Sequence, residues 1–390
     1  MEQPAPSIRW CRAGIAPTGT RARLEMSLLA SKLSANRIAR GLAVFAIAIA
    51  FAFVVAPNAS SETTLPFPRP AAIQPNVDFW VNVFTKYSNH DFVIMDRDNV
   101  QRVYHVFLLP GDGRPTATDI EWANSYLKTK YGDILNRLAS GREPADDEER
   151  EIAAMFKGQP LSAYAAAAQN LRVQEGLRED FHDGLLRSKY YTPSMERIFR
   201  TAGLPPELVT LASVESGFHG GSRSSAGAVG IWQFTRDTGK HYMKITRYHD
   251  DRLIPERETV AAAKLLRSNY DTLGDWPLAI TAYNYGTGGV ARAAGIYGGD
   301  YSAMVQHYQG PRFGFAVKNY YAEFLAALQV HRDEEKYFPG IEDEPAIRPA
   351  PIKADFKVPK RSKKSHASHT HTHHTASKTH HSKKTLAQKT

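Results

Sequence analysis

A glutamate on the apolar side of a predicted helix is the first residue here that suggests chemistry. In the stretch ELVTLASVESGFH, Leu208, Leu211, Ala212 and Glu215 recur at the spacing of one helix face. Gly217 predicts the end of that helix. Because burying an ionised carboxylate is costly, such a group is either paired or kept protonated. A carboxyl group that stays protonated at neutral pH can act as a general acid.

Two later segments also carry residues that suit a binding site. The first is AGAVGIWQF and the second is TAYNYG, and their polar and aromatic members are Trp232, Gln233, Tyr283, Asn284 and Tyr285. Taken singly, each segment has an ordinary explanation, since glycine-rich loops are common and Trp232 is equally consistent with a core residue. The GTGG run at 286–289 follows a predicted helix rather than a strand, so it does not indicate a phosphate loop.

In this order and spacing, the three segments resemble the lysozyme-like catalytic domain of the lytic transglycosylases, closest to the membrane-bound D type. The matching pieces are Glu215-Ser216, Gly-Ile-Trp-Gln at 230–233 and Ala-Tyr-Asn at 282–284. TGK at 238–240 and FGFAVKNYYAEFLAA at 313–327 fit as well, so the resemblance covers about residues 186–330. His219 and Thr287 depart from the usual pattern, and no LysM repeat is visible.

The resemblance implies peptidoglycan glycan strands as the partner and a single carboxyl group as the catalyst. Glu215 would protonate the oxygen of the MurNAc–GlcNAc β-1,4 bond. As a carboxylate, it would then remove the C6 hydroxyl proton, giving a 1,6-anhydroMurNAc end without water. We expect Ser216, Trp232, Gln233, Tyr283, Asn284 and Tyr285 to bind substrate. No cofactor and no metal are expected.

Two other functions stay open at this point. One is a hydrolase of the same fold, a muramidase or chitinase, which needs a second acid to activate water. Asp237, Asp250 and Asp251 are candidates for that acid, although exposed loop positions explain them equally well. The other is a wall-binding module without activity, but the joint presence of Glu215, Gln233 and Tyr283-Asn284 argues against it.

The elements that position these residues are predicted to be mainly α-helical. We expect residues 75–185 to form a mostly helical region with a short β-hairpin from DFVIMD and VYHVFLL. Residues 186–332 are predicted to form a goose-type lysozyme-like catalytic domain. Helices are predicted over LRVQEGLREDFHDGLLRS and, separately, over PSMERIFRTAG. We assign residues 61–74 to a linker.

Both ends of the chain are predicted to lie outside this fold. Residues 1–60 contain fifteen apolar residues from Leu42 to Ala56 after Arg37 and Arg40, which is typical of a signal segment. The interpretation is export to the periplasm or cell envelope, with membrane contact only if the segment stays uncleaved. Residues 333–390 are predicted to be a disordered tail rich in His and Lys.

The charge and cysteine content exclude several classes of protein. The net charge is +9, but the tail from residue 351 alone carries nine Lys and one Arg against one Asp. The basic balance therefore does not indicate nucleic-acid binding by the folded body, although the tail is a candidate for weak binding to anionic wall polymers. Cys11 is the single cysteine, so the body has no disulfide framework and no thiol nucleophile.

Overall fold

The structure, a computed structural model, describes residues 66–349 of the chain. The predicted signal segment and all of the tail from residue 350 onwards lie outside the described residues. Within residues 66–349, no helix is long and apolar enough to cross a membrane. The fold is mainly α-helical, as the sequence predicts, with one small sheet.

The N-terminal part combines four helices with a three-stranded sheet. Its elements are α1 (Gln74–Thr85), β1 (Asp91–Asp96), β2 (Val103–Leu108), α2 (Ala117–Ala139), α3 (Asp147–Ala154), α4 (Ser162–Gln169) and β3 (Leu171–Glu175). The strands are antiparallel in the order β2-β1-β3. The predicted hairpin of β1 and β2 is therefore present, and a third strand extends it on the other side of β1.

The third strand corrects our prediction of a helix over LRVQEGLREDFHDGLLRS. β1 is the central strand, and its side chains point alternately into two cores: Val93 and Met95 into one, Phe92 and Ile94 into the other. A strand buried on both faces needs backbone partners along both edges, and LRVQE supplies the second set. Local helix periodicity could not reveal this distant pairing.

A close backbone contact separates β3 from the helix that follows it. A Cβ atom on Gly176 would collide with the carbonyl oxygens of Ser88 and Tyr87, so only glycine fits there. Helix α5 then runs from Arg178 to Thr201 without a break, with Pro193 inside it. Our prediction of two separate helices was wrong, because packing of the buried Tyr191 and Met195 on either side of Pro193 offsets the lost backbone bond.

The remaining elements are short helices around a core shared with α1 and α5. After a 3₁₀ turn at Pro206–Thr210 come α6 (Leu211–Ser216), α7 (Arg236–Lys240), α8 (Pro255–Leu273), α9 (Trp276–Tyr285), α10 (Thr287–Ile296), α11 (Tyr301–His307), α12 (Phe315–Arg332) and α13 (Glu334–Tyr337). The boundary predicted between residues 185 and 186 falls inside the continuous helix α5.

Helix α12 is held by residues from the N-terminal part. The indole Nε1 of Trp80 and the amide Nδ2 of Asn76, both on α1, donate to Oδ1 of Asn319 at 3.2 and 2.8 Å. The hydroxyl of Tyr321 donates to the carbonyl oxygen of Pro68 at 2.7 Å. Phe67 packs edge-on against Phe324, with ring centroids 5.0 Å apart. Residues 66–74, which we assigned to a linker, therefore contribute to the core.

The first part of the predicted tail is also packed. Phe338 and Ile341 are buried. The ammonium group of Lys189 on α5 donates to the carbonyl oxygen of Ile341 at 2.5 Å, and the backbone N–H of Ile347 donates to that of Leu186 at 3.1 Å. The ordered fold thus continues about fifteen residues beyond the predicted limit at residue 332.

Candidate active site

The apolar face that carries Glu215 is buried as its spacing predicts. Leu208, Leu211 and Ala212 have no exposed surface, and Glu215 is 4% exposed. The first turn of the predicted helix is a 3₁₀ turn, and only Leu211–Ser216 are α-helical. Glu215 therefore lies in the last turn of a short buried helix, one residue before its C-terminus.

Gly217 ends this helix because its backbone is left-handed. Its φ is 55° and its ψ is 39°, a conformation that glycine adopts at little cost. The guanidinium Nε of Arg187, on α5, donates to the carbonyl oxygen of Gly217 at 2.7 Å. Gly184, one turn earlier on α5, lies against the Gly217 backbone. Helix α5 thus fixes the position at which the chain leaves Glu215.

Tyr320, on α12, contacts Glu215 directly. Its hydroxyl donates a hydrogen bond to Oε1 of Glu215, and Tyr320 itself is 4% exposed. A donor on a carboxylate oxygen stabilises the ionised form and fixes the orientation of the group. We did not predict this residue, because it lies 105 positions after Glu215 and only the fold brings the two together.

A second buried carboxyl group lies on the same helix. Glu323 is 7% exposed, and burial raises its pKa to about 8, with the charge of Glu215 adding to the rise. Arg172 of β3 acts in the opposite direction. Its guanidinium carbon lies 3.8 Å from the centroid of the Phe315 ring at the start of α12. The sequence held a signal for Glu323, since this acid interrupts the apolar run YYAEFLAAL much as Glu215 interrupts its own face.

The Gly-Ile-Trp-Gln segment is attached to α6 and α8 through its backbone. The hydroxyl of Ser216 donates to the carbonyl oxygen of Ile231 at 2.8 Å. The carboxylate of Glu258 on α8 accepts from the N–H groups of Ile231 and Trp232 at 2.9 and 3.2 Å. Burial raises the pKa of Glu258 well above its ordinary value, although these two hydrogen bonds oppose the rise. Ser216 and Glu258 therefore hold this segment beside Glu215.

Two of the predicted substrate-binding aromatics have the contacts of core residues. Trp232 has no exposed surface, stacks on Phe199 with centroids 5.6 Å apart, and donates from Nε1 to the hydroxyl of Thr259 at 2.9 Å. Tyr283 is 1% exposed, and its hydroxyl donates to the carbonyl oxygen of Trp232 at 2.9 Å. In this conformation both rings are enclosed in the core, and neither has an exposed face that a sugar ring could contact.

The other predicted substrate-binding residues differ in how accessible they are. Gln233 is fully buried with a φ of 49°, and its Nε2 donates to the carbonyl oxygen of Gly230 at 2.8 Å. Its Oε1 has no hydrogen-bond partner among the described residues. Tyr285 is 6% exposed and donates to the carbonyl oxygen of Pro311 at 2.8 Å. Asn284, on the same helix, is half-buried.

Of the three aspartates considered as alternative acids, two are paired with arginines and the third is exposed. Burial opposes ionisation of Asp250, but the hydrogen bonds and charge of Arg252, at 2.7 Å, lower its pKa. Burial likewise opposes ionisation of Asp251, and its contacts with Arg257 and His249, both at 2.5 Å, lower its pKa. The side chain of Asp237 is 96% exposed.

A cavity of about 280 Å³ lies beside α6. Ser213 and Gly217 form part of one wall, and Phe84, Arg114 and Ile120 of the N-terminal part form another. The region before residue 178 thus borders the space next to the helix that carries Glu215. Within residues 66–349, no cluster of three or more His, Cys, Asp or Glu side chains is arranged to hold a metal ion.

Residues 196–301 match the family described as Transglycosylase SLT domain. The matched segment includes Glu215, Gly230–Gln233 and Tyr283-Asn284. The chain carries an SLT domain. It is also 40% identical over 114 residues to membrane-bound lytic murein transglycosylase D of Escherichia coli strain K12. The aligned residues are 29% of this chain and 25% of that protein. The chain thus spans about a quarter of the length of this relative.

A second relative matches a longer part of its own length. The chain is 28% identical over 153 residues to a putative tributyltin chloride resistance protein of Alteromonas sp. strain M-1, covering 38% of this chain and 72% of that protein. The SLT match ends at residue 301, so Tyr320 and Glu323 lie after it and Arg172 lies before it. Tyr320, which bonds to Glu215, therefore lies outside the matched segment.

Proposed function

We propose that the protein is a peptidoglycan lytic transglycosylase of the cell envelope and that Glu215 is its catalytic acid and base. The observation that carries this proposal is a glutamate 4% exposed at the end of a short helix, with the Tyr320 hydroxyl on its carboxylate, inside an SLT domain. The similarity to a lytic murein transglycosylase supports the same reaction class.

In the proposed reaction, one carboxyl group transfers a proton twice. Protonated Glu215 donates its proton to the oxygen that joins C1 of MurNAc to GlcNAc, and that bond breaks. The N-acetyl group of the substrate stabilises the charge developing at C1, while the Tyr320 hydroxyl stabilises the new carboxylate of Glu215. Glu215 then accepts the proton of the C6 hydroxyl, and O6 bonds to C1. The ring closes as a 1,6-anhydro sugar, water is not consumed, and Glu215 is protonated again.

The positions of the other acids favour this route over hydrolysis. A hydrolase of this fold needs a second carboxylate that is ionised and free to act on water or on C1. Asp250 and Asp251 are engaged by arginines, and a lowered pKa makes each a weak base. Glu323 lies near Glu215, but a pKa of about 8 leaves it mostly protonated at neutral pH. A muramidase or chitinase is the second candidate function, and its products would carry reducing ends instead of 1,6-anhydro ends.

We propose Ser216, Gln233, Asn284 and Tyr285 as residues that shape the glycan-binding cleft, with Trp232 and Tyr283 supporting it from the core. Asn284 is the most accessible of the six. Ser216 and Gln233 bond to the backbone at 230–231, and their other hydrogen bonds go to the N–H of His219 and the carbonyl oxygen of Ser222. Both residues would therefore act by fixing the loop. The direct contribution of each side chain is measurable as a change in KM for sacculi.

Product analysis of digested sacculi tests the proposed reaction. We expect the protein to release muropeptides that end in 1,6-anhydroMurNAc. Glu215→Gln should lower turnover at least about a hundredfold, because it removes the acid and the base, while sacculus binding persists. Glu207→Gln, on the preceding turn, is the matched control and should stay active. Reducing ends in the products would establish a hydrolase, and equal clearing by the protein and Glu215→Gln would exclude Glu215 as the catalyst.

A further inference from the structure

A serine, a histidine and a glutamate form a chain of contacts that the proposed lytic reaction does not use. Oγ of Ser213 on α6 lies 2.7 Å from Nε2 of His331, in the last turn of α12. The other ring nitrogen of His331, Nδ1, lies 3.2 Å from Oε1 of Glu334 on α13. Because a carboxylate only accepts, Nδ1 carries the proton and Nε2 accepts from the serine hydroxyl. Hydroxyl, imidazole and carboxylate in this order are the arrangement that activates a serine as a nucleophile.

The imidazole of His331 is enclosed on two sides by aromatic rings. Phe181 of α5 and Phe218, directly after Gly217, both meet it edge-on, with ring centroids 6.0 and 6.2 Å away. The side chain of His331 is only 14% exposed. The two rings and the contact with Glu334 therefore fix the orientation of the imidazole, so that Nε2 stays directed at Ser213 rather than at solvent.

The cavity beside α6 provides space for a substrate next to this serine. Ser213 forms part of the cavity wall, and its volume of about 280 Å³ suits a small ligand. Much of the remaining wall is apolar, with Phe84, Ile120, Leu177 and Phe181 among its side chains. A short aliphatic acyl group therefore matches both the size and the polarity of the cavity.

The charges around the cavity balance, which favours an uncharged substrate. Its wall contains two arginines, Arg114 and Arg223, and two acids, Glu175 and Asp180. Arg114 and Asp180 form an ion pair with each other. Arg223 makes no ion pair with a side chain in residues 66–349, so it is the cation available to stabilise negative charge that develops on a substrate oxygen.

We propose that Ser213, His331 and Glu334 form a second catalytic site, which hydrolyses small uncharged carboxylic esters in this cavity. Oγ of Ser213 bonds to the carbonyl carbon while its proton passes to Nε2 of His331, and the alcohol leaves with that proton. Water then bonds to the acyl carbon and gives a proton to His331. The carboxylic acid is released as the serine oxygen recovers that proton. Glu334 stabilises the charged imidazole in both steps.

Two assays on the full-length protein test this site. A fluorophosphonate probe bonds to serines that a neighbouring base activates, and peptide mass spectrometry should find it on Ser213. Cleavage of p-nitrophenyl butyrate measures turnover, and this ester contains no glycosidic bond on which the lytic reaction could act. Ser213→Ala should abolish both signals. His331→Gln should lower both at least about a hundredfold, because a general base contributes about 10²–10⁴-fold. Glu334→Gln should lower both at least about tenfold.

A serine with the same burial but no histidine partner is the control. Ser188 and Ser213 are both 4% exposed, and the Ser188 hydroxyl donates to the carbonyl oxygen of Leu185 on its own helix. Ser188→Ala should leave labelling and ester cleavage unchanged. Glu334 is partly exposed, so Glu334→Gln keeps the fold even if Ser213→Ala unfolds, which the Tm of each variant shows. A probe absent from Ser213, or ester cleavage that Glu334→Gln leaves unchanged, would overturn the second site and reduce the contact to a link between α6 and α12.

Discussion

At the level of single residues, the decisive contact is the hydrogen bond from Tyr320 to Glu215. Without a hydrogen-bond donor beside it, the ionised form of a buried glutamate would be strongly destabilised. The Tyr320 hydroxyl stabilises the ionised form by donating a hydrogen bond to Oε1. This contact also fixes the carboxylate relative to α12, on which Glu323 lies. The reactivity proposed for Glu215 therefore depends on a tyrosine outside the matched SLT domain.

Tyr320→Phe tests this dependence. The substitution keeps the ring and removes only the donor, so packing should hold. We expect kcat on sacculi to fall by about 10- to 100-fold, because hydrogen bonds to charged groups contribute about 1.5–3 kcal/mol. Release of anhydro-muropeptides measures the change. Tyr321→Phe is a matched control, since its hydroxyl bonds to the Pro68 carbonyl rather than to Glu215. Equal kcat values for the two variants would contradict the role of Tyr320.

At the level of elements, α8 holds the segment that follows Glu215. Glu258 reaches from this helix to the N–H groups of Ile231 and Trp232, while Ser216 on α6 bonds to the Ile231 carbonyl. The segment thus has fixed attachments on both sides. Gly230 has a φ of 90° and lies against the Glu258 carboxylate, where a side chain would collide. The glycine of the motif is required by this packing.

Glu258→Gln should change how stability depends on pH. Burial raises the pKa of Glu258 in the folded protein, so its contribution is present below the ordinary value of 4.5 and is lost as the pH rises toward the raised value. The variant cannot ionise, so its Tm should fall less over that window. It should also lose about 1–3 kcal/mol at all pH values, because one N–H loses its acceptor.

Thermal unfolding followed by circular dichroism across the pH range measures both effects. Glu256→Gln, on the exposed side of the same helix, is the control and should follow the unsubstituted protein. If Glu258→Gln and Glu256→Gln gave the same Tm at every pH, the Glu258 carboxylate would have no part in holding the loop.

At the level of the whole molecule, the regions on either side of the SLT domain are part of one structure. Helix α5 crosses the predicted boundary at residue 185 without interruption. Trp80, from α1, is fully buried against α12, with its ring 6.3 Å from Phe315. Residues 66–74 and 333–347 pack against the same core. A fragment limited to the SLT domain would expose these apolar contacts.

Fragments of the chain provide the test at this scale. We expect residues 66–349 to unfold in one cooperative transition. Residues 186–332 should show no such transition, because losing α1 uncovers large side chains whose burial contributes about 1.5–3 kcal/mol each. Near-UV circular dichroism and calorimetry distinguish the two. A fragment 186–332 that unfolds cooperatively at the Tm of the longer one would show that the N-terminal part is an independent domain.

The sequence by itself determined the helical fold, the first two strands, the burial of the Glu215 face and the end of its helix at Gly217. These features depend on local spacing and backbone preference, which a sequence displays directly. It also determined the resemblance to lytic transglycosylases, because that rests on short segments.

Tertiary structure alone decided which residues surround Glu215. Tyr320, which bonds to Glu215, lies on α12 at a sequence separation of 105, and no local pattern joins the two residues. The third strand exists because β1 is buried on both faces, which is a property of the assembled cores. Trp232 and Tyr283 are buried by tertiary packing that their sequence motifs do not predict. The physical reason is common to all of these: burial and electrostatic partners depend on distances in space, which the sequence does not specify.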